Sequence, residues 1–182
     1  MRGDSFPEAP GSGADLLGRQ RRAFLRDGAP DLRARKASLR RLRAAILSHR
    51  QEIGEAVSAD FGHRSRHETE IMELVPVIQA IDYLSRNLRR FMMPDRRHVG
   101  IHYQSGRAYV AWQPKGVIGV MAPWNYPVSL TLVPLATALA AGNRALLKPS
   151  ELTPRTSTVL KRLLEDAFTS EDVAVVLGGP EV

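Results

Sequence analysis

An apolar stripe at helical spacing runs through residues 30–59. The intervals between its members are three, four, seven and four residues, and arginines occupy most of the other positions. This pattern predicts an amphipathic surface helix. The stripe consists of Leu39, Leu42, Ile46, Ile53 and Val57.

A second stripe predicts a helix over about residues 68–92, ended by Pro94. Pro76 lies within it and is tolerated only near the first turns or at a kink, because proline lacks an N–H and clashes with the preceding turn. The stripe consists of Ile71, Leu74, Ile78, Ile81, Leu84, Leu88 and Phe91.

The period becomes alternating after Pro94. Residues 98–104 and 107–113 alternate and contain β-branched and aromatic residues, and Ser105 and Gly106 separate them. This pattern predicts a β-hairpin with a tight turn.

From residue 116 onward, short apolar runs alternate with helical segments. The runs 116–122, 144–148 and 173–177 are predicted strands. The predicted helices are 127–141, ended by Gly142 and Asn143, and 154–168, with Thr153 as N-cap and Pro154 at the first helical position. Such alternation is typical of right-handed βαβ crossovers and a parallel sheet.

Composition narrows the classes of protein. The 182 residues carry a formal charge of +7, and 20 of the 26 basic residues lie in the first 110. The absence of cysteine excludes disulfides, thiolate metal sites and a cysteine nucleophile from this chain. The longest apolar run, 128–141, is too short to cross a bilayer and contains Pro134, and the N-terminus lacks an apolar signal region. We therefore expect no membrane association and a cytoplasmic location.

The candidate ligand site follows from the predicted sheet, because ligands of parallel sheets bind outside the carboxyl ends of the strands. Three loops fall there: Pro123-Trp124-Asn125, Pro149-Ser150-Glu151 after Lys148, and Gly178-Gly179-Pro180. Lys148 and Glu151 could hold ribose hydroxyls or a phosphate, and a Gly-Gly turn lets a flat ring approach the backbone. These loops suit a nucleotide. No G-x-G-x-x-G motif is present, so a purely structural sheet edge remains the alternative.

The segment 114–154 resembles the start of the coenzyme domain of the NAD(P)-dependent aldehyde dehydrogenase superfamily. The resemblance rests on three hallmark segments in the family's order, PWNYP, AAGN and KPSE. Weaker similarity extends back through residues 61–87 and the hairpin, and is greatest to the branch that contains coniferyl aldehyde dehydrogenases and dimeric, broad-specificity enzymes. The resemblance covers about residues 30–182, which is under half of a full-length member.

The resemblance implies a fold and a division of the chain. The fold class is α/β, with N-terminal helices, a β-hairpin arm and the first βαβαβ portion of a Rossmann-like parallel sheet. The resemblance makes residues 15–97 a helical segment that packs on the coenzyme domain, 98–113 an oligomerisation hairpin, and 114–182 the truncated first part of the NAD(P)-binding domain. For residues 1–14, a composition rich in Gly, Pro and Ser predicts a disordered N-terminus. A homo-oligomer, a dimer in the full-length protein, is expected.

The resemblance also implies roles for individual residues. The side-chain amide of Asn125 would donate to the thiohemiacetal oxyanion, and Pro123 and Trp124 would line the nicotinamide end of NAD or NADP. Lys148, with Ser150 beside it, would bind the adenosine ribose. Glu151 would tune NAD against NADP preference, and Gly179 and Pro180 would lie by the adenine. Two simpler interpretations remain: Trp124 and Tyr126 as core aromatics, and Asn125 as a turn former.

One departure from the family is large. Its catalysis needs a cysteine nucleophile and a glutamate base, and it oxidises an aldehyde to the acid. The chain has no cysteine and ends before the family's Gly-rich coenzyme turn, glutamate and cysteine. We interpret it as an N-terminal fragment or a truncated gene product of an aldehyde dehydrogenase, and we expect it to oxidise no aldehyde by itself. An aromatic aldehyde such as coniferyl aldehyde is the candidate substrate of the complete enzyme.

Weaker signals favour other functions less. His63 with His67, and His98 with His102, could each present two imidazoles, but no acidic or thiol partner is fixed nearby, so no metal site is predicted. Arginine runs at 19–22 and 40–43 could contact nucleic acid, but interspersed acidic residues and the lack of an aromatic platform favour a solvated helix face. The alternatives to the enzyme are a non-catalytic dinucleotide-binding or oligomerising module and, less favoured, a basic nucleic-acid-binding protein.

Overall fold

The first half of the chain is helical in the structure, a computed structural model that describes residues 13–179. A π-helical turn, Glu70–Leu74, joins the fourth and fifth helices. The disorder predicted for residues 1–14 falls mostly outside the described residues, but Gly13 and Ala14 begin a helix, so for those two it is wrong. The helices are α1 (Gly13–Asp27), α2 (Leu32–Ser48), α3 (Arg50–Asp60), α4 (Arg66–Thr69) and α5 (Val75–Phe91).

The first apolar stripe is confirmed as core. All five of its members are at most 1% exposed. The single helix predicted over residues 30–59 is two helices, α2 and α3, interrupted at His49. The stripe nevertheless stays on one face, because the N–H groups of His49 and Ile53 continue the four-residue hydrogen-bond spacing through the break.

The second stripe is confirmed only in part. Leu74, Ile81 and Leu88 are buried, whereas Ile71 is 65% exposed. The reason is the π-helical turn, in which hydrogen bonds span five residues and the positions on either side lose their regular phase. Glu73 faces the interior in this turn and is fully buried. Pro76 is the second residue of α5, directly after the π-helical turn, as expected for a proline near the first turns of a helix.

The predicted hairpin exists with different strands. β1 (Asp95–Arg97) pairs antiparallel with β2 (Ala108–Val110), and a short 3₁₀ turn, Ile101–Tyr103, lies in the long connection between them. The strand predicted over 98–104 and the two-residue turn at Ser105-Gly106 are therefore wrong. Alternation did not fix the register here because the ribbon has no buried face: every residue of β1 is exposed.

The parallel sheet is confirmed. Its strands are β3 (Val117–Met121), β4 (Arg144–Lys148) and β5 (Val173–Val175), in the spatial order β3-β4-β5. The crossover helices are α6 (Ser129–Ala140) and α7 (Pro154–Ala167). The central strand β4 is hydrogen-bonded on both sides, to β3 and to β5. Its alternate residues Ala145 and Leu147 are fully buried, and a strand buried in this way requires a short apolar run.

The helices of the first half pack on the crossover helices. α2 contacts α6 and α7, α3 contacts α7, and α5 contacts α6, while α1 contacts β3 and β4. The core therefore lies between the N-terminal helices and one face of the sheet. Within residues 13–179, no helix is long and apolar enough to cross a membrane.

The end of α6 is fixed by Gly142 and Arg35. Gly142 has φ +86°, as expected for a glycine that closes a helix, and the N–H of Asn143 reaches back to the Ala138 carbonyl. The buried Arg35 guanidinium donates to the carbonyls of Pro30 and Ala140, at 2.8 and 3.3 Å. The predicted helix end at Gly142-Asn143 is thereby confirmed.

Candidate functional site

The loops after β3 and β4 leave the sheet side by side. Met121 and Lys148 are register partners at the last paired position of the two strands, and the N–H of Ala122 donates to the Lys148 carbonyl at 3.0 Å. The N–H of Val176, just after β5, donates to the Leu147 carbonyl at 2.8 Å. All three loops that the sequence singles out therefore begin at one edge of the sheet.

Lys148 and Glu151 form an ion pair at this edge. Lys148 Nζ lies 3.0 Å from Glu151 Oε2, and the two side chains are 21% and 39% exposed. The backbone N–H of Glu151 itself, together with the Lys148 ammonium, lowers the pKa of the Glu151 carboxyl. The pair presents a cationic donor and an ionised acceptor, the combination that two vicinal hydroxyls can bridge.

Ser150 is buried and stabilises the loop rather than facing solvent. Its hydroxyl accepts from the N–H of Leu152 at 3.2 Å, and its carbonyl accepts from the Ser157 hydroxyl at 2.9 Å. The loop that carries Glu151 is therefore tied to the first turn of α7. A contact of the Ser150 side chain with a coenzyme stays a prediction.

The loop after β3 exposes Pro123, Trp124 and Asn125. Trp124 is 52% exposed, so the interpretation of this residue as a core aromatic is wrong. Among the residues that the structure describes, no hydrogen bond engages the Asn125 side-chain amide, and a role in forming the turn finds no support there. Asn125 borders an open cavity of about 430 Å³, which is also lined by Phe61, Arg64, Glu68 and Tyr126.

Two side chains from the first half of the chain support this loop. The Phe61 ring lies 6.3 Å from the Trp124 ring between centroids. The Arg64 guanidinium lies over the rings of both Phe61 and Tyr126, at 5.3 and 5.2 Å, within the range of cation–π attraction. Phe61 and Arg64 therefore pack against the loop, while Pro123, Trp124 and Asn125 keep exposed surface.

A buried carboxylate caps the helix that follows. Glu73 Oε2 accepts from the N–H groups of Val128 and Ser129, at 2.7 and 3.2 Å, and Oε1 accepts from Arg64 Nη1 at 3.1 Å. Burial raises the pKa of Glu73, and the hydrogen bonds from Ser129 and Val128 and the charge of Arg64 oppose that shift. A negative charge at this position is favoured by the dipole of α6.

A second carboxylate caps α7. Asp60, the last residue of α3, accepts from the N–H groups of Arg155 and Thr156 at 3.2 and 2.8 Å, and from the Thr156 hydroxyl at 2.7 Å. The predicted start of the helix is confirmed, with Thr153 at the N-cap position and Pro154 as the first helical residue, but the Thr153 side chain makes no capping hydrogen bond. The carboxylate of Asp60 takes that place because it accepts several N–H and O–H bonds at once.

Sequence reasoning missed Glu73, Asp60, Arg64 and Phe61 as parts of the site. The one available signal was an acidic residue, Glu73, beside Leu74 in a stripe predicted to be buried. Nothing in the spacing connects Asp60 with Thr156, which are 96 residues apart.

The loop after β5 is described only in part. Gly178 has φ +151°, a conformation that residues with a side chain rarely adopt, and Gly179 ends the described segment. Pro180 lies outside the described residues. The placement of Gly179 and Pro180 by an adenine ring therefore stays a prediction.

The described part of the chain contains no group of three or more histidine, cysteine, aspartate or glutamate side chains that could hold a metal ion. The paired histidines His63 with His67, and His98 with His102, thus gain no acidic third partner within residues 13–179.

Comparisons with known proteins show the family of the chain. The sequence model of the Aldehyde dehydrogenase family matches residues 20–182. A Caulobacter vibrioides protein named "Probable coniferyl aldehyde dehydrogenase" is 44% identical over 171 residues, which cover 92% of this chain and 35% of that protein. A coniferyl aldehyde dehydrogenase of a Pseudomonas species is 41% identical over 174 residues, 93% of this chain and 36% of that protein.

Among solved structures, a substrate-bound AldH of Staphylococcus aureus superposes with a TM-score of 0.89 at 29% identity, covering 94% of this chain and 37% of that one. The chain thus spans about a third of the length of the curated relatives it matches. The family match covers residues 20–182 and includes the PWNYP, AAGN and KPSE segments, which lie next to strands of the parallel sheet. This chain therefore belongs to the aldehyde dehydrogenase family.

Proposed function

We propose that this chain supplies the oxyanion-binding loop and part of the coenzyme site of an enzyme that oxidises an aldehyde to its carboxylic acid with NAD(P)⁺. The observation that carries the proposal is the shared sheet edge, where an exposed Asn125 with an uncommitted amide lies on the loop beside the Lys148–Glu151 pair. An amide donor and a polar cradle at one edge suit a reacting carbonyl and a coenzyme bound next to each other.

The residues present fit part of a dinucleotide. Lys148 and Glu151 offer a donor and an acceptor for the two ribose hydroxyls, and Gly178 and Gly179 offer a backbone without side chains for a flat ring. When bound, the coenzyme accepts the hydride that leaves the substrate carbon. Pro123 and Trp124 are exposed next to Asn125 and would line the nicotinamide end.

Asn125 has the clearest chemical task. When a thiolate adds to an aldehyde carbonyl, the oxygen becomes an alkoxide, and an amide N–H held in place donates to that charge more strongly than to the neutral carbonyl. Loss of hydride from the same carbon then leaves a thioester, which water hydrolyses to the acid. The chain contains no cysteine, so the thiolate would have to come from outside residues 1–182.

The substrate and the partner are proposed from the relatives. Two of them carry the name of coniferyl aldehyde, which makes an aromatic aldehyde the first substrate to test. For the partner, the exposed ribbon of β1 and β2 carries Tyr109 at 63% exposure, and Trp112, just beyond it, is 78% exposed. These rings suit a second copy of the protein in a homodimer.

The test uses a joined enzyme, in which residues 1–182 replace the matching segment of the Pseudomonas coniferyl aldehyde dehydrogenase. We expect aldehyde-dependent formation of NAD(P)H, and its loss in Asn125→Ala. Asn87→Ala is the matched control, because Asn87 is a half-buried amide on α5 whose one side-chain hydrogen bond within residues 13–179 goes to the Tyr83 carbonyl. A folded joined enzyme that binds the coenzyme without oxidising aldehydes would favour the non-catalytic dinucleotide-binding module instead.

A further inference from the structure

Both loops of the candidate site lead into a helix whose first N–H groups are bound by a carboxylate from the first half of the chain. The loop with Asn125 leads into α6, which Glu73 caps, and the loop with Lys148 and Glu151 leads into α7, which Asp60 caps. Each loop is therefore fixed at one end by its strand and at the other end by a carboxylate from a different element.

Glu73 is placed to control the position of Asn125. Only two residues separate Asn125 from Val128, whose N–H donates to Glu73 at 2.7 Å. The Arg64 side chain, 9% exposed, binds the other carboxylate oxygen and lies over the Tyr126 ring. Because Glu73 is fully buried, water does not readily replace a carboxylate oxygen that a substitution removes. The N–H groups or the guanidinium bound to that oxygen would then lose their partner, and we expect the loop of Asn125 to shift.

Asp60 is placed to control the other loop. It binds the second and third residues of α7, Arg155 and Thr156, and the same helix turn is tied to the loop by the Ser157 hydroxyl and the Ser150 carbonyl. Among the described residues, Asp60 makes no hydrogen bond to the loop of Asn125, and Glu73 makes none to the loop of Glu151. The nearest link is Phe61, which follows Asp60 in the chain and lies 6.3 Å from the Trp124 ring. The hydrogen bonds of the two carboxylates therefore end on separate loops.

We propose, resting on the function proposed above, that Glu73 and Asp60 are positioning residues with separate tasks. Glu73 holds Asn125 where the oxyanion forms, and Asp60 holds Lys148 and Glu151 where the coenzyme ribose binds. The helices of the first half therefore do more than cover the sheet, because they set the geometry of chemistry and of coenzyme binding independently.

The test is a crossed pair of isosteric variants in the joined enzyme. Glu73→Gln should lower kcat by up to about 100-fold, the penalty of misplacing a catalytic group, and leave the coenzyme dissociation constant unchanged. Asp60→Asn should raise that dissociation constant several-fold and leave kcat at saturating coenzyme unchanged. Glu70→Gln is the matched control on the same π-helical turn, because in the part of the chain that the structure describes the Glu70 side chain pairs with the exposed Arg50 alone.

A second readout does not depend on activity. Amide hydrogen exchange, followed by mass spectrometry, should accelerate over residues 124–129 in Glu73→Gln and over residues 150–157 in Asp60→Asn, each without the other. If the unsubstituted joined enzyme folds but oxidises no aldehyde, the proposed function fails while the exchange pattern still decides this inference.

Two outcomes would overturn the inference. In the first, each variant changes kcat and the coenzyme dissociation constant together, or accelerates exchange equally over both loops, as general loss of helix stability would. In the second, neither variant differs from Glu70→Gln. The crossed pattern in either readout supports it.

Discussion

The Lys148 carbonyl accepts a hydrogen bond of 3.0 Å from the N–H of Ala122, one residue beyond the last paired position of β3. This bond extends the ladder to the point where the PWN segment begins. It therefore fixes the distance along the sheet edge between the residue proposed to bind the ribose and the residue proposed to bind the oxyanion.

Asn125→Ala should lower kcat of the joined enzyme by about 10²–10³, because one preorganised donor to the developing alkoxide is lost. The coenzyme dissociation constant should stay the same, since Asn125 lies on the other loop. Steady-state kinetics and coenzyme titration measure the two quantities. An unchanged kcat with weakened coenzyme binding would contradict the role given to Asn125.

Lys148→Met should weaken NAD(P)⁺ binding by about 1.5–3 kcal/mol, the range for a hydrogen bond to a charged group. Methionine keeps most of the apolar stem, so β4 should remain intact. The rate at saturating coenzyme should persist. Lys115→Met is the control, because Lys115 is exposed and precedes β3 at the opposite end of the strand. Equal coenzyme affinities in the two variants would show that Lys148 does not bind the ribose.

Glu151→Gln should shift the preference of the joined enzyme toward NADP⁺. The pKa of Glu151 is lowered, so the carboxyl is ionised throughout the neutral pH range and repels a 2′-phosphate. The amide keeps the shape and removes the charge. The ratio of kcat/KM for the two coenzymes measures the shift, and a ratio that moves toward NAD⁺ would mean that the charge does not act by repulsion.

Gly142→Ala should destabilise the protein more than Gly28→Ala. Both glycines have positive φ, which costs an alanine about 1–2 kcal/mol, but only at Gly142 would the new Cβ lie 2.6 Å from Cζ of the buried Arg35. Moving Arg35 breaks its bonds to Pro30 and Ala140. Chemical denaturation measures the free energy of unfolding of the two variants. Equal losses of stability would show that Arg35 moves aside without destabilising the protein.

A polypeptide of residues 1–182 alone should self-associate and form no NAD(P)H from aldehydes. Its sheet exposes Met121 at 84%, and Trp112 beyond the ribbon is 78% exposed, while no residue can supply a thiolate. Light scattering and the absorbance of the reduced coenzyme are the measurements. A monodisperse sample with a cooperative thermal transition and aldehyde-dependent absorbance would refute this prediction.

The parts of the fold that the sequence predicts well are those with a buried face. The stripe from Leu39 to Val57 and the strand Arg144–Lys148 have the predicted bounds or burial, because burial on one side forces a period. The motifs PWN and KPSE likewise lie at the predicted sheet edge. The strand predicted over 98–104 is wrong because exposed residues on both sides carry no such constraint.

The capping carboxylates could not be predicted for a different reason. Glu73 is an acidic residue on the face that also carries the buried Val77, and its contact with Val128 forms only when α6 packs there. Asp60 likewise meets Thr156 only after two helices have packed. Neither contact leaves a periodic trace in the sequence. Predicting them requires the relative placement of α3, α4 and the crossover helices, which long-range packing decides.

The π-helical turn makes the chain tolerant of one change in length at this point. In a regular helix each residue advances the direction of the side chain by about 100°. The turn Glu70–Leu74 has hydrogen bonds that span five residues, so it uses one residue more than an α-helical turn for about the same rotation. Deleting the exposed Ile71 or Met72 would therefore let the segment from Arg66 to Phe91 relax into a continuous α-helix, with Glu73 and the apolar face of α5 still directed at the core. A single-codon deletion inside α5 would instead rotate every later residue of that helix relative to α6, because no wide turn is present there to absorb the change.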